Sequence, residues 1–202
     1  MKRLWILAAT ISGAIAGNAG AAAGNPETGA TKAVVCQACH GAAGNSVNPE
    51  WPSLAGLGAD YIADQLKNFK EGKRNNPVMM PNAANLSPED MADLGAYFGS
   101  QTNTGLEADP TYWKAGEKLY RAGDQARGIP ACMACHGPTG RGNEPAKFPA
   151  LHGQHSVYVV KQLSDYASGA RATGPNAIMP TIAKRLSPDD MRNLASYLQG
   201  LR

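Results

Sequence analysis

Cys36-Gln37-Ala38-Cys39-His40-Gly41 returns 96 residues later as Cys132-Met133-Ala134-Cys135-His136-Gly137. Two cysteines three apart, followed at once by a histidine, form the attachment signature of a c-type haem. The spacing has a stereochemical reason. Residues three and four apart share one face of a helix. Cys36 and Cys39 then reach the two vinyl groups of one porphyrin while His40 projects its imidazole toward the iron, and Cys132, Cys135 and His136 repeat the arrangement. A four-cysteine zinc site, thiol–disulfide redox pairs or structural disulfides of a secreted chain would use the cysteines. The zinc and disulfide readings leave the histidine after each pair unexplained. The motif predicts two covalently bound haem c groups, with all four cysteines consumed.

Outward from these motifs the whole chain proves duplicated. Trp51-Pro52-Ser53-Leu54-Ala55-Gly56 returns as Phe148-Pro149-Ala150-Leu151-His152-Gly153, and Tyr61-Ile62, Gln65-Leu66 and Phe69 return as Tyr158-Val159, Gln162-Leu163 and Tyr166. Leu86-Ser87-Pro88-Glu89-Asp90-Met91 returns as Leu186-Ser187-Pro188-Asp189-Asp190-Met191. Between the copies, Gly99 to Gly105 and then Asp109-Pro110 read as a linker, which places a boundary near Gly105 and predicts domains over 24–105 and 106–202.

Each copy reads as helical. Ile62, Leu66 and Phe69 fall on one helix face, as do Val159, Leu163 and Tyr166. Ser87-Pro88-Glu89-Asp90 and Ser187-Pro188-Asp189-Asp190 are helix starts: a serine N-cap, proline at the first position, acids in the first turn. Apolar stripes follow at Met91, Leu94 and Phe98, and at Met191, Leu194 and Leu198. No stretch shows convincing strand alternation, so the fold class is all-α. Aromatic residues make up only 6% of the chain, thin for two cores of this size; small domains often need a cofactor to complete them.

A haem iron needs a second axial ligand or an open position, and methionine is the usual partner of histidine in electron-transfer cytochromes. Counting back eight residues from Ser87 and Ser187 gives Met79 and Met179 without a gap. Matching the Met-Pro dipeptide instead pairs Met80-Pro81 with Met179-Pro180. The ungapped count is preferred, so Met79 and Met179 are the candidate ligands and Met80 a packing neighbour. His152 and His155, the other histidines, read as ordinary surface or propionate-side residues.

The N-terminus reads as a leader: Lys2 and Arg3, a short apolar run from Leu4 to Ala16, then Ala21-Ala22-Ala23. Cleavage after Ala23 makes residues 1–23 a signal peptide. The run falls short of the ~20 apolar residues a membrane span requires. The charge is uneven. Residues 24–105 carry five basic and eight acidic side chains; residues 106–202 carry twelve basic and eight acidic. This does not form the concentrated basic face of a nucleic-acid binder. It either orients docking on a charged partner or reflects two differently solvated surfaces.

On both C-x-x-C-H-G motifs, both Pro-x-Leu-x-Gly segments, the Tyr-Ile-x-x-Gln-Leu helix and the methionine eight residues before the last helix start, the chain resembles the dihaem cytochromes c4. The resemblance covers nearly all of the mature chain. It implies two tandem class I cytochrome c domains, each wrapped around one covalently bound haem c. It also implies a bacterial periplasmic location, free or loosely held at the membrane, and electron transfer to a haem–copper terminal oxidase, with a quinol-oxidising cytochrome complex as donor. In the family, the proline carbonyl of Pro-x-Leu-x-Gly accepts a hydrogen bond from the axial histidine; the resemblance puts this role on Pro52 and Pro149. With histidine and methionine on each iron, no open position remains, so an electron carrier is expected in preference to an enzyme. The alternatives are the dihaem subunit of a flavocytochrome sulfide dehydrogenase and a dihaem thiosulfate-oxidising enzyme.

Overall fold

Asn25 accepts hydrogen bonds from the backbone N–H groups of Glu27 and Thr28, and Pro26 follows it, starting a helix that the periodicity of the sequence did not reveal. The computed structural model describes residues 24–174 and 177–202; the leader lies outside the described residues. The first lobe comprises α1 (Pro26–Lys32), α2 (Val34–His40), α3 (Ala59–Lys70), α4 (Met79–Ala83) and α5 (Pro88–Ser100). The second repeats the order with α6 (Trp113–Ala122), α7 (Met133–His136), α8 (Ser156–Ser168), α9 (Ile178–Ala183) and α10 (Pro188–Gly200). Among the described residues, strand-like pairing is confined to isolated bridges.

The last helix of each lobe begins as its sequence dictates. The Ser87 side chain accepts from the Asp90 N–H while the Asp90 carboxylate accepts from the Ser87 N–H, and Ser187 and Asp190 form the same capping box. The N-terminal helix crosses it closely. A Cβ at Gly29 would overlap the Asp93 carbonyl, and one at Gly116 would overlap that of Asn193. Glycine at these two points lets α1 lie on α5 and α6 on α10. Lys32 then joins α1 to α5 through Asp90 at 2.6 Å and Asp93 at 2.7 Å.

Ile62, Leu94 and Phe98 centre the first core; Tyr120, Ile129, Leu194 and Leu198 centre the second. The two lobes differ instructively at one tyrosine. Gln37 donates to the Tyr97 hydroxyl at 3.1 Å. Methionine stands at the matching position 133, and the Tyr197 hydroxyl is buried without a hydrogen-bond partner among the described residues. The Arg121 guanidinium lies beside it without hydrogen-bond geometry. Tyr97→Phe is therefore expected to cost ~1 kcal/mol, whereas Tyr197→Phe is neutral or stabilising. Denaturant melts of the two haem-loaded variants compare them directly.

The linker is shorter than the sequence suggests, because α5 runs through Gly99 and Ser100 before the chain turns extended at Gln101. It is also not slack. Asn45 donates to the Thr102 carbonyl and accepts from the Thr104 N–H, Asn103 donates to the His152 carbonyl, and Ser196 accepts from the Asp109 N–H. No helix among the described residues is long and apolar enough to cross a membrane.

Candidate functional site

Each C-x-x-C-H helix stops immediately after its histidine. Gly41 (φ 80°) and Gly137 (φ 78°) adopt backbone angles that favour glycine, and the chain leaves the helix axis there. The segment that follows returns a carbonyl to each imidazole: His40 Nδ1 lies 2.8 Å from the Pro52 oxygen and His136 Nδ1 lies 2.9 Å from the Pro149 oxygen. A carbonyl only accepts, so Nδ1 carries the proton and donates. Nε2 is left with its lone pair free. Burial holds both imidazoles below their ordinary pKa, against the opposing pull of the proline carbonyls. Two neutral, oriented nitrogen donors result, each fixed by an outer hydrogen bond of the kind that orients a metal-bound histidine.

Both histidines face one continuous cavity of about 1010 Å³, which passes all four cysteines as well. Met79 and Met179 line it; Met80, one residue along α4, is not among its lining residues. Burial pushes the Cys36 thiol up and the Cys132 thiol up to about 11. Both are thus protonated at neutral pH, unlike the low-pKa thiols of redox pairs. Among the described residues no group of three or more His, Cys, Asp or Glu side chains is gathered as a metal cage. Each lobe offers one imidazole nitrogen, one methionine sulfur and two thiols able to bond to vinyl groups, all lining a largely apolar space at the upper end of ligand-pocket sizes. That set fits a thioether-linked haem.

The structure corrects the reading of His155. It is only 6% exposed and its Nε2 lies 2.8 Å from the Ser46 carbonyl of the first lobe, so it is a buried lobe-to-lobe contact and not a surface residue. Beside it Gln154 accepts from the Ser53 N–H and donates to the Ser53 carbonyl, both at 2.9 Å. His152 is half-buried, with Nδ1 3.2 Å from the Gly140 carbonyl. The sequence offered one hint, that His155 has no counterpart in the first copy; its partner, a backbone carbonyl in the other lobe, leaves no motif.

The family model for cytochrome c matches residues 27–102 and again residues 113–202. Together with the duplicated helical lobes and their shared cavity, this defines a c-type cytochrome carrying two covalently attached haem c groups. Cytochrome c4 of Azotobacter vinelandii is 47% identical over 190 residues, covering 89% of this chain and 90% of that protein. The crystal structure of reduced recombinant cytochrome c4 from Pseudomonas stutzeri superposes with a TM-score of 0.86 at 44% identity, over 89% of this chain and all of that one. The chain belongs to the cytochrome c4 family, and it is an electron carrier, not an enzyme. A thiosulfate dehydrogenase electron acceptor of Thiomonas intermedia is 40% identical over 172 residues, covering 83% of this chain and 78% of that protein.

Proposed function

We propose that this cytochrome shuttles single electrons in the periplasm from a quinol-oxidising cytochrome complex to a haem–copper terminal oxidase, after removal of residues 1–23, with loose membrane association in some conditions. Cys36 and Cys39 would hold one haem and Cys132 and Cys135 the other, in lobes divided near Gly105. His40 and Met79 would ligate the first iron, and His136 and Met179 the second. The observation that carries the ligand assignment is that both methionines line the cavity into which the two neutral histidines face.

Each bound haem supplies a one-electron couple between ferric and ferrous iron. The chain's own residues do the rest. The Pro52 and Pro149 carbonyls accept from the protonated Nδ1 and would hold each Nε2 in one direction, whichever oxidation state the bound iron has. The largely apolar walls would give a bound haem a low-polarity setting, and a methionine sulfur paired with a histidine nitrogen on its iron would raise the potential and leave substrate no place to bind. Ligands that do not move on electron transfer keep reorganisation small.

Spectroelectrochemical titration with the near-infrared methionine-to-iron band monitored tests this reading. Two haems per chain, two one-electron steps and the band from both ferric haems are expected. A high-spin ferric haem without that band would overturn it. The relative that serves a thiosulfate dehydrogenase favours a second reading, in which electrons arrive from such an enzyme. Stopped-flow reduction by each candidate donor decides between them, and a co-purifying flavin subunit would point instead to a sulfide dehydrogenase.

A further inference from the structure

The Pro52 carbonyl and the Ser53 N–H are the two ends of one peptide group, and both ends are taken. The carbonyl accepts from His40 Nδ1 at 2.8 Å, and the N–H donates to Gln154 Oε1 of the second lobe at 2.9 Å. Gln154 turns its other end to the same residue, with Nε2 donating to the Ser53 carbonyl, also at 2.9 Å. Only this orientation of the amide satisfies both backbone groups. Its neighbour His155 holds the Ser46 carbonyl at 2.8 Å, and the Ser46 N–H donates to Ser53 Oγ at 3.2 Å. All four residues are nearly sealed from solvent, Gln154 at 7% exposure and Ser53 at 3%. A side chain of one lobe therefore ends a hydrogen-bond chain that begins on the cavity-facing imidazole of the other.

The duplication supplies an internal control. In the second lobe the Pro149 carbonyl accepts from His136 at 2.9 Å, as Pro52 does from His40. Leu57 stands where Gln154 does in the other copy, and a leucine has no acceptor to offer. Ala150 takes the place of Ser53, and among the described residues its N–H finds no acceptor. The chain through the peptide thus exists on one histidine of the two. Hydrogen bonds in a chain polarise one another where the surroundings are dry. An acceptor on the Ser53 N–H places more negative charge on the Pro52 oxygen and makes it a stronger acceptor for His40 Nδ1–H. The imidazole becomes more electron-rich at Nε2.

We propose that Gln154 is a positioning residue for the first haem: from the second lobe it fixes and polarises the Pro52–Ser53 peptide, and so lowers the potential of the His40-ligated iron alone. The proposal rests on the two-haem reading, with His40 as an axial ligand. Gln154 acts through the peptide and the imidazole and is not itself a ligand. The sign follows from charge. A more electron-rich nitrogen favours ferric iron, which carries one more positive charge than ferrous iron, so the midpoint falls. The second haem, with no such acceptor behind Pro149, keeps a potential independent of this contact. Docking of the lobes thereby builds a difference between two haems whose ligand sets are alike.

The test uses full-length, haem-loaded protein carrying Gln154→Met or Gln154→Glu. Methionine matches glutamine in length but offers only a weak acceptor; glutamate keeps an oxygen on the Ser53 N–H. A redox titration followed through the ring-methyl proton resonances of each haem assigns each midpoint to its lobe. In Gln154→Met the first midpoint is expected to rise. At a fixed potential the ferrous-to-ferric ratio of that haem should grow roughly twofold, the scale of a change of about a tenth in one hydrogen bond of low-dielectric strength. The second midpoint should stay where it is. Gln154→Glu should hold the first midpoint at the parent value or lower it. In the ferrous proteins the His40 Nδ1 proton resonance should move upfield in Gln154→Met while that of His136 keeps its position, a pattern that loosened lobe packing alone does not give. A Gln154→Met protein whose first midpoint or His40 resonance fails to move in the stated direction, or whose two midpoints rise together, would overturn the proposal. A Gln154→Glu protein with its first midpoint raised as far as in Gln154→Met would overturn it too. Haem count and the methionine band of the unsubstituted protein read out the dihaem assignment separately: fewer than two haems there would sink that assignment rather than this one.

Discussion

Met79→Ala should abolish the methionine-to-iron band of one ferric haem, leaving about half the parent intensity, and should lower that haem's midpoint; Met80→Ala should leave both bands in place. The two residues are neighbours on α4, and both are half-buried, so exposure alone does not separate them. Direction does. Successive helical residues point about 100° apart, and of the two it is Met79 that lines the cavity. Met179→Ala is the matching change in the second lobe, and the double variant should lose the band entirely. Near-infrared spectra of the oxidised proteins check all four. Retention of both bands in Met79→Ala together with loss of one in Met80→Ala would reverse the assignment.

Replacing Cys36 and Cys39 together by serine should yield a chain with a single haem and an unfolded first lobe. The shared cavity measures about 1010 Å³. At about 24 cal/mol for each Å³ of unfilled apolar space, even half of it corresponds to roughly 12 kcal/mol. This is an upper bound because the cavity opens to water, yet it rivals the whole stability of a typical domain, about 5–15 kcal/mol. Few residues remain to offset the loss: the first core is centred on Ile62, Leu94 and Phe98. Intact mass should fall by one haem, and far-UV circular dichroism should lose a large part of its helical signal. A first lobe that keeps native helicity without its haem would show that polypeptide packing suffices.

Much of this architecture was legible in the residues. The C-x-x-C-H pairs announce the cofactor, the repeat announces two lobes, and Ser87-Pro88 and Ser187-Pro188 mark helices that start where they say. The carbonyls of Pro52 and Pro149, expected from the family resemblance, sit against the histidines. Other parts were harder to read for physical reasons. Helix α1 is seven residues long, too short for a periodic stripe, and its signal is Asn25-Pro26-Glu27 at the start. Helix α6 carries its buried face on Gly116, Leu119 and Tyr120, and a glycine does not register as apolar. Arg74 donates to Tyr158 and Arg171 to Tyr61 across the lobes, and the residues of this contact were in plain sight: Tyr61, Gln65 and Arg74 return together, 97 residues on, as Tyr158, Gln162 and Arg171. Nothing in a single copy marks those residues as interface groups, because half of the partners that define them belong to the other lobe. His155 was misread for the same reason.

The bonded connector between the lobes has an implication for how the molecule would respond to a protease. Its backbone from Gln101 to Glu107 is anchored on both sides, by Asn45 on one lobe and by His152 and Gln199 on the other. The same lobes are also joined by Gln154, His155, Arg74 and Arg171. A single nick in that backbone would therefore not release two free halves. The fragments would migrate together until denatured, much as a preassembled heterodimer does, and the covalent tie would matter chiefly for bringing the halves together at synthesis.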